Sequence, residues 1–183
     1  MNKLLIPIDI RNCCVFLAPI FAAFTSMVAY LLSWEVTKKF EMSMFCALFM
    51  ALIPSYISRS VAGSYDNEAV AIFSIVFCFY TYIKAVNTGT MLHALISALA
   101  LYYMVLNWGG YVFVLGIVSI FVLATILMGK FNIKVYVSYS IFYIVGSLFC
   151  LTHPFVGIWQ VWNSSEHLPS HAVFLIMQFY YFS

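Results

Sequence analysis

The sequence predicts an all-α protein, a polytopic transmembrane helical bundle, and three observations predict it. Of the 183 residues, 65% are hydrophobic and only 8% are charged, whereas a soluble domain carries about 25% charged residues. Long apolar stretches alternate with short polar turns along the chain. The 18 Phe, 13 Tyr and 4 Trp residues suit a protein surrounded by lipid tails and headgroups. A chain of this composition has too little polar surface to be soluble.

Seven apolar stretches are candidate transmembrane helices, because a helix needs about 20 such residues to cross a bilayer. They run approximately over Asn12 to Trp34, Met42 to Ile57, Asn67 to Lys84, Met91 to Leu106, Gly109 to Met128, Lys134 to Thr152 and Leu168 to Phe182. The second and fourth are short for a span. Tight connections such as Asn107-Trp108-Gly109 leave little mass outside the membrane, which predicts one helical bundle over residues 1–183.

The distribution of basic residues predicts the orientation of the bundle, since cytoplasmic loops collect lysine and arginine. One set of alternate loops carries Lys38, Lys39, Lys84, Lys130 and Lys134, and the other carries only Lys3, Arg11 and Arg59. This bias favours an N-terminus outside the cytosol. The loops at 58–66, 107–110 and 153–167 then face the lumen or the exterior.

Charge and cysteine content exclude several classes of protein. The net charge is only +2 and the longest basic run is a pair of lysines, so nucleic acid is not expected as a partner. The five cysteines, Cys13, Cys14, Cys46, Cys78 and Cys150, match no zinc spacing and are interpreted as small buried hydrophobes. The first twelve residues lack the pattern of a cleavable signal peptide, and the chain begins as though its first membrane span were missing.

An acidic pair in the run Asp66-Asn67-Glu68 is the strongest candidate for chemistry. A carboxylate beside a membrane helix is expected to have a partner, and Arg59 or a divalent cation can supply it. Carboxylate oxygens suit Mg²⁺ or Mn²⁺, although two ligands do not complete such a site. The alternative is structural: Asp66 or Asn67 caps the helix, and Glu68 lies in its first turn, where the helix dipole favours a negative charge.

Other polar residues each allow two interpretations. Arg59 can balance the carboxylates, or it can extend to the headgroups. Trp108 with the glycines that follow can let a lipid approach the backbone, or it can be an interfacial tryptophan before a tight turn. Asn163 begins an N-x-S/T pattern and is a possible glycosylation acceptor. The four histidines, His93, His153, His167 and His171, are interpreted as scattered interfacial polar residues.

The run from Tyr56 to Ala69, YISRSVAGSYDNEA, resembles the second acidic motif of the eukaryotic oligosaccharyltransferase catalytic subunits almost residue for residue. Further similarity lies in Leu5 to Asn12, Trp108 to Phe113, Pro154 to Gly157 and Ser164 to His167, and so covers nearly the whole chain. The resemblance implies part of a larger membrane domain of the GT-C type.

The resemblance implies a dolichyl-diphosphooligosaccharide–protein glycosyltransferase. In that family the acidic pair binds a divalent metal with an aspartate from an earlier loop, so Asp66 and Glu68 inherit catalytic and metal-ligand roles. The resemblance implies transfer of an oligosaccharide from a dolichyl-pyrophosphate donor to the asparagine of an acceptor polypeptide, with Arg59 and Trp108 in the vicinity of the donor. It also implies a location in the endoplasmic reticulum membrane, with the active-site loops on the luminal side. Other oligosaccharyltransferase subunits and membrane lipid are the implied partners. The turn that contains Glu166, Ser164 to His167, resembles an earlier loop of the family, so Glu166 is assigned no catalytic role.

Two family motifs, an Asp-x-Asp and a Trp-Trp-Asp-Tyr-Gly, are expected beyond the two ends of this sequence, together with a luminal domain. The chain alone is therefore expected to be inactive. Two other classes of function fit the composition: a transporter or channel lined by Arg59, Asp66 and Glu68, and a membrane scaffold without catalysis. A transporter predicts internal repeats and broken helices, and the sequence shows neither.

Overall fold

The computed structural model describes residues 10–63, 66–154 and 156–182, and within these ranges the protein is helical without strands. The helices are α1 (Ile10–Thr37), α2 (Phe40–Leu52), α3 (Pro54–Arg59), α4 (Glu68–Thr88), α5 (Met91–Asn107), α6 (Tyr111–Leu127), α7 (Ile133–Thr152), α8 (Gly157–Asn163) and α9 (Leu168–Phe182). The all-α prediction is confirmed. Lys3 of the charge distribution, and Ser64 and Tyr65 of the acidic motif, lie outside the described residues.

Each of the seven predicted spans coincides with helical structure. Among the described residues, α1, α4 and α7 are long and apolar enough to cross a membrane, and α2, α5 and α6 are shorter apolar helices. The number of spans and their orientation stay predictions.

The second predicted span, Met42 to Ile57, is not one helix as expected. It is broken between α2 and α3, where Ile53 adopts an extended conformation with φ −62° and ψ 118°. Pro54 is the first residue of α3. Proline has no amide hydrogen to donate and its ring pushes the preceding residue out of the α conformation. The break therefore follows directly from the residue type at position 54.

Helix α8 lies inside the stretch 153–167, which was expected to be a loop. Its Ile158, Trp159 and Trp162 are 65%, 80% and 73% exposed. Exposed tryptophans on a short helix are typical of a segment at the headgroup level of a membrane.

The chain divides into two compact units, Met1–Phe73 and Ser74–Ser183, so the prediction of a single bundle stays a prediction. In the first unit, α1 and α2 form a tightly packed hairpin around the Lys38-Lys39 turn. Lys38 has a positive φ of 54°, and its amide donates to the Trp34 carbonyl at 2.9 Å. This left-handed residue ends α1 and reverses the chain.

The second unit has a continuous apolar core in which α5 packs on α7 and α6 packs on α9. Its largest fully buried side chains include Leu101, Met104, Tyr139, Phe142 and Met177. The Tyr139 hydroxyl lies 2.9 Å from the Ser119 hydroxyl, so this buried polar group has a partner. Such pairing is needed because an unpaired hydroxyl in an apolar environment costs about 1–3 kcal/mol.

One contact joins two of the lysine-bearing loops of the second unit. The Lys134 Nζ donates to the Asn87 carbonyl at 3.2 Å, beside Gly89, whose φ of 71° ends α4. A lysine that caps the C-terminal carbonyls of a helix is favoured by the helix dipole. The loops at 84–90 and 129–134 therefore lie at the same end of this unit, as the orientation requires.

The cysteine prediction is partly wrong. Cys78 and Cys150 are buried, but Cys13 and Cys46 are exposed and Cys14 is partly exposed. An apolar stretch of a membrane protein faces either a core or lipid, and the residue type alone does not separate the two.

Candidate functional site

The acidic motif lies at the N-terminus of α4. The Ala71 amide donates to the Asn67 carbonyl at 2.9 Å, which makes Asn67 the N-cap residue and Glu68 the first residue of the helix. Ala69 and Ala71 are buried, whereas Asp66 and Asn67 are exposed and Glu68 is intermediate. The helix thus begins with its carboxylates at the surface, near the positive end of the dipole.

Arg59, in the last turn of α3, reaches this helix start and forms an ion pair with Glu68 through its Nη1 and the carboxylate Oε2. The two side chains are 53% and 36% exposed, so the pair is open to solvent and contributes below about 1 kcal/mol to stability. The sequence interpretation in which Arg59 balances a carboxylate is therefore realised for Glu68. The Arg59–Glu68 ion pair is too weak for its main effect to be on the stability of the fold.

The side chains at this helix start carry the kind of ligand atom that a hard divalent cation prefers, but there are too few of them to complete a site. Asp66 and Glu68 offer carboxylate oxygens, which Mg²⁺ and Mn²⁺ prefer. Among the described residues, no group of three or more histidine, cysteine, aspartate and glutamate side chains is placed to hold a metal ion. The structural alternative is also partly realised, because Asn67 caps α4. Capping and ligation use different atoms, and the same short segment can do both.

Trp108 lies in the second unit, at the turn between α5 and α6. Its amide donates to the Met104 carbonyl at 2.9 Å and ends α5, and 41% of the residue is exposed. A Cβ at Gly110 would lie 2.3 Å from the indole Cζ3. The glycine is therefore required for the indole to lie over the turn.

A hollow of about 410 Å³ adjoins this turn and is lined by Gly109, Gly110, Val112, Phe113 and Glu166. Glu166 is exposed in the turn after α8. Asn163, the candidate glycosylation acceptor, is the last residue of α8 and is also exposed. The structure thus brings the Trp-Gly-Gly turn and the Ser-Ser-Glu-His turn to one place, which their separation in sequence did not indicate.

The prediction of scattered interfacial histidines is wrong for His167 and His171. His167 is only 2% exposed, and its Nε2 lies 3.0 Å from the Tyr111 hydroxyl. His171 pairs with the Tyr143 hydroxyl, and its Nε2 lies 2.9 Å from the Val161 carbonyl. The two imidazoles stack with centroids 6.0 Å apart. Together they attach the turn after α8 to the bundle.

Burial lowers the pKa of His167, because a charged imidazolium is poorly solvated there, and the neighbouring His171 lowers it further. His167 is therefore held in its neutral form near pH 7. The i, i+4 spacing of the two histidines was visible in the sequence, but the tyrosine partners come from distant helices.

Helices long and apolar enough to cross a membrane, with a carboxylate pair at the start of one of them, define the class: a helical membrane protein with a candidate cation site. Residues 2–183 match the family model for oligosaccharyl transferase STT3, N-terminal. The chain therefore belongs to the STT3 family of oligosaccharyl transferases.

Individual proteins of this family are similar to the chain over nearly its whole length. The chain is 45% identical over 177 residues to the STT3A subunit of the dolichyl-diphosphooligosaccharide–protein glycosyltransferase of Oryza sativa subsp. japonica, covering 97% of this chain and 22% of that protein. It is 42% identical over 178 residues to the Caenorhabditis elegans subunit stt-3, covering 97% of this chain and 23% of the relative. The chain thus spans about a quarter or less of the length of these relatives.

The fold is also similar to solved structures. The oligosaccharyltransferase of Archaeoglobus fulgidus in its apo form superposes with a TM-score of 0.77 at 21% identity, over 93% of this chain and 22% of that one. The oligosaccharyltransferase AglB from Archaeoglobus fulgidus, in complex with an inhibitory peptide and a dolichol-phosphate, gives a TM-score of 0.78 at 19% identity, over 94% of this chain and 23% of that one. At these identities the likeness concerns the fold.

Proposed function

We propose that this chain forms part of the catalytic subunit of an oligosaccharyltransferase, which transfers an oligosaccharide from a dolichyl-pyrophosphate donor to the asparagine of N-x-S/T acceptors. The observation that carries the proposal is the Asp66-Asn67-Glu68 helix start with Arg59 paired to Glu68, within a chain that matches the STT3 family over residues 2–183.

In this proposal Asp66 and Glu68 hold a divalent cation, Mg²⁺ or Mn²⁺, together with a ligand from another part of the full-length protein. When bound, such a cation supplies positive charge that orients the acceptor amide and offsets charge that develops during transfer. Support for a metal comes from the carboxylate chemistry and from a structural relative solved in complex with Zn and sulfate. Arg59 orients Glu68 through Oε2, and the other carboxylate oxygen stays available as a ligand.

The proposed assembly is a multi-pass protein of the endoplasmic reticulum membrane with its acidic motif on the luminal side. Its partners are the lipid-linked donor, the acceptor polypeptide, the other subunits of the transferase and membrane lipid. Trp108 and the hollow beside it are assigned to the vicinity of the donor, since an exposed indole over a glycine turn gives a lipid an apolar surface. Arg59, in the first unit, is assigned separately to the pyrophosphate of the donor, on the ground of its charge alone. Asn163, exposed at the end of α8, is proposed as a glycosylation acceptor.

The test uses the full-length protein that contains this segment, purified in lipid nanodiscs. Binding of Mn²⁺ is measured by electron paramagnetic resonance, and transfer is measured with a fluorescent acceptor peptide. Asp66→Ala and Glu68→Gln are expected to lose Mn²⁺ binding and transfer while the helical circular dichroism is unchanged, because both groups are at the surface and contribute little to packing. Glu41→Gln, which removes an exposed carboxylate from the first turn of α2, is the matched control.

Two outcomes would contradict the proposal. Full activity of Asp66→Ala would remove the metal assignment. A protein that conducts ions or transports solutes without transferring sugar would favour the channel class instead.

A further inference from the structure

The buried hydroxyl of Tyr56 attaches the short helix α3 to α1. Tyr56 is only 4% exposed and Thr25 is fully buried, and the Tyr56 hydroxyl lies 2.6 Å from the Thr25 Oγ1. The Thr25 hydroxyl donates its own hydrogen to the Phe21 carbonyl at 2.7 Å. With that hydrogen used, the Tyr56 hydroxyl is the donor toward α1: the Thr25 Oγ1 is its nearer acceptor, and the Phe21 carbonyl lies 3.4 Å from the same hydroxyl.

A second attachment lies further along the same segment. The Gly63 amide donates to the Val15 carbonyl of α1 at 3.3 Å, and the Ser60 hydroxyl donates to the Tyr56 carbonyl at 2.8 Å. Val15 and Thr25 are about 15 Å apart along α1 at 1.5 Å per residue. The segment from Tyr56 to Gly63 therefore follows α1 toward its N-terminal end, and Arg59 lies between the two attachments.

The hydroxyl of Tyr56 is not needed to fill space, since a phenylalanine ring would pack in the same place. A hydroxyl buried in an apolar environment costs free energy unless it is paired, so the pair Tyr56–Thr25 adds little net packing energy. The hydrogen bond does fix how α3 lies on α1, because it requires a particular distance and angle between its two groups. Helix α3 has only six residues and is too short to be stable alone. Tertiary contacts must therefore set its position.

We propose that Thr25 and Tyr56 are positioning residues that hold α3 on α1, so that Arg59, one turn beyond Tyr56, stays on Glu68 and keeps that carboxylate oriented for a divalent cation. This inference rests on the proposed function. Groups that hydrogen-bond to metal-ligating carboxylates typically change metal affinity by about 10- to 100-fold when removed. Tyr56 acts one step further out than Arg59 and its effect is correspondingly smaller.

The experiment compares Tyr56→Phe and Thr25→Val with Thr25→Ser, which keeps the hydroxyl, and with Tyr30→Phe, which removes a tyrosine hydroxyl of the same unit outside the attachment. The full-length protein in nanodiscs is used for two measurements. The first is an Mn²⁺ titration followed by electron paramagnetic resonance. The second is the rate of trypsin cleavage after Arg59 without added metal, which reports on α3 alone.

Tyr56→Phe and Thr25→Val are expected to raise the half-saturating Mn²⁺ concentration about three- to tenfold, the upper limit being the full net value of one neutral hydrogen bond. Excess Mn²⁺ is expected to restore full occupancy, and cleavage after Arg59 is expected to accelerate. Thr25→Ser and Tyr30→Phe are expected to match the unsubstituted protein. In an Arg59→Gln background, Tyr56→Phe is expected to have no further effect on the Mn²⁺ titration, because both changes act through the same contact.

The outcomes separate this inference from the proposed function. Unchanged cleavage and unchanged Mn²⁺ affinity in Tyr56→Phe and Thr25→Val would overturn the positioning role. Faster cleavage with unchanged Mn²⁺ affinity would show that the bond holds α3 without acting on the cation site. That result would also overturn the positioning role. Additive effects of Tyr56→Phe and Arg59→Gln would do the same. If the unsubstituted protein binds no Mn²⁺, the metal assignment fails, and with it any role of Thr25 and Tyr56 toward a cation.

Discussion

Gly146 allows α5 and α7 to approach closely in the core of the second unit. A Cβ built at this position would lie 2.8 Å from the Leu101 Cδ2, whereas ordinary van der Waals contacts are 3.4–4 Å. Leu101 is 1% exposed, so its side chain has no open space into which to move. Overpacking of this kind costs about 1–3 kcal/mol. Gly146→Ala therefore sets that cost against a gain in helix propensity of about 0.8–1.0 kcal/mol.

Gly116 of α6 is the matched control, because nothing lies within 4 Å of a Cβ built there. Gly116→Ala gains the helix propensity without the overlap. We therefore expect Gly146→Ala to be less stable than Gly116→Ala by about 1–3 kcal/mol, the cost of overpacking alone. The difference between the two variants is more informative than either value, since the propensity term is common to both.

The measurement is equilibrium unfolding in mixed micelles with increasing sodium dodecyl sulfate, followed by far-ultraviolet circular dichroism. A double-mutant cycle with Leu101→Ala tests the cause. Leu101→Ala alone creates a cavity that costs about 2–5 kcal/mol, but in that background Gly146→Ala has room and is expected to lose its penalty. Equal stability of Gly146→Ala and Gly116→Ala, or a penalty that persists without Leu101, would refute the close packing of these helices.

Three further predictions concern the surface, the turn after α8 and the orientation. Glu68→Gln is expected to change the free energy of unfolding by less than about 1 kcal/mol, since its pair with Arg59 is exposed, and a loss above about 2 kcal/mol would contradict that exposure. The lowered pKa of His167 means that protonation favours the unfolded chain, so the thermal midpoint is expected to fall as pH drops below about 6.5. The His167→Gln variant, which cannot titrate at this position, is expected to show a weaker dependence of the midpoint on pH. An equally steep dependence in that variant would show that His167 is not its cause. In a background without native cysteines, Asn163→Cys is expected to be labelled from the lumen and Lys130→Cys from the cytosol, and the reverse pattern would invert the topology.

Much of the fold was predictable because membrane helices are recorded directly in the sequence. A lipid-exposed helix must be apolar over its whole length, so most of the helices could be located to within a few residues, and Pro54 explains the break between α2 and α3. Residue patterns did not predict α8, because seven residues with two tryptophans are too few for periodicity to separate a short surface helix from a loop.

The candidate site was predictable in part for a different reason. Asp66 and Glu68 stood out because carboxylates are rare in an apolar chain, and Arg59 because it was nearby in sequence. The sequence does not decide which carboxylate Arg59 contacts, and only the structure pairs it with Glu68. Thr25 and Tyr56 were missed altogether, since a threonine within a span and a tyrosine near its end are ordinary residues there.

The sequence by itself determined the class of fold, the helical segments, the acidic motif and the family resemblance, because all of these depend on residue type and local spacing. The tertiary structure alone decided which polar groups meet. The Tyr56–Thr25 bond joins residues 31 positions apart, and the His167–Tyr111 contact joins residues 56 positions apart. In an apolar environment nearly any helix face can be buried or face lipid, so hydrophobic pattern does not specify which faces pack together. Hydrogen bonds and close packing make that choice, and they exist only once the helices are assembled.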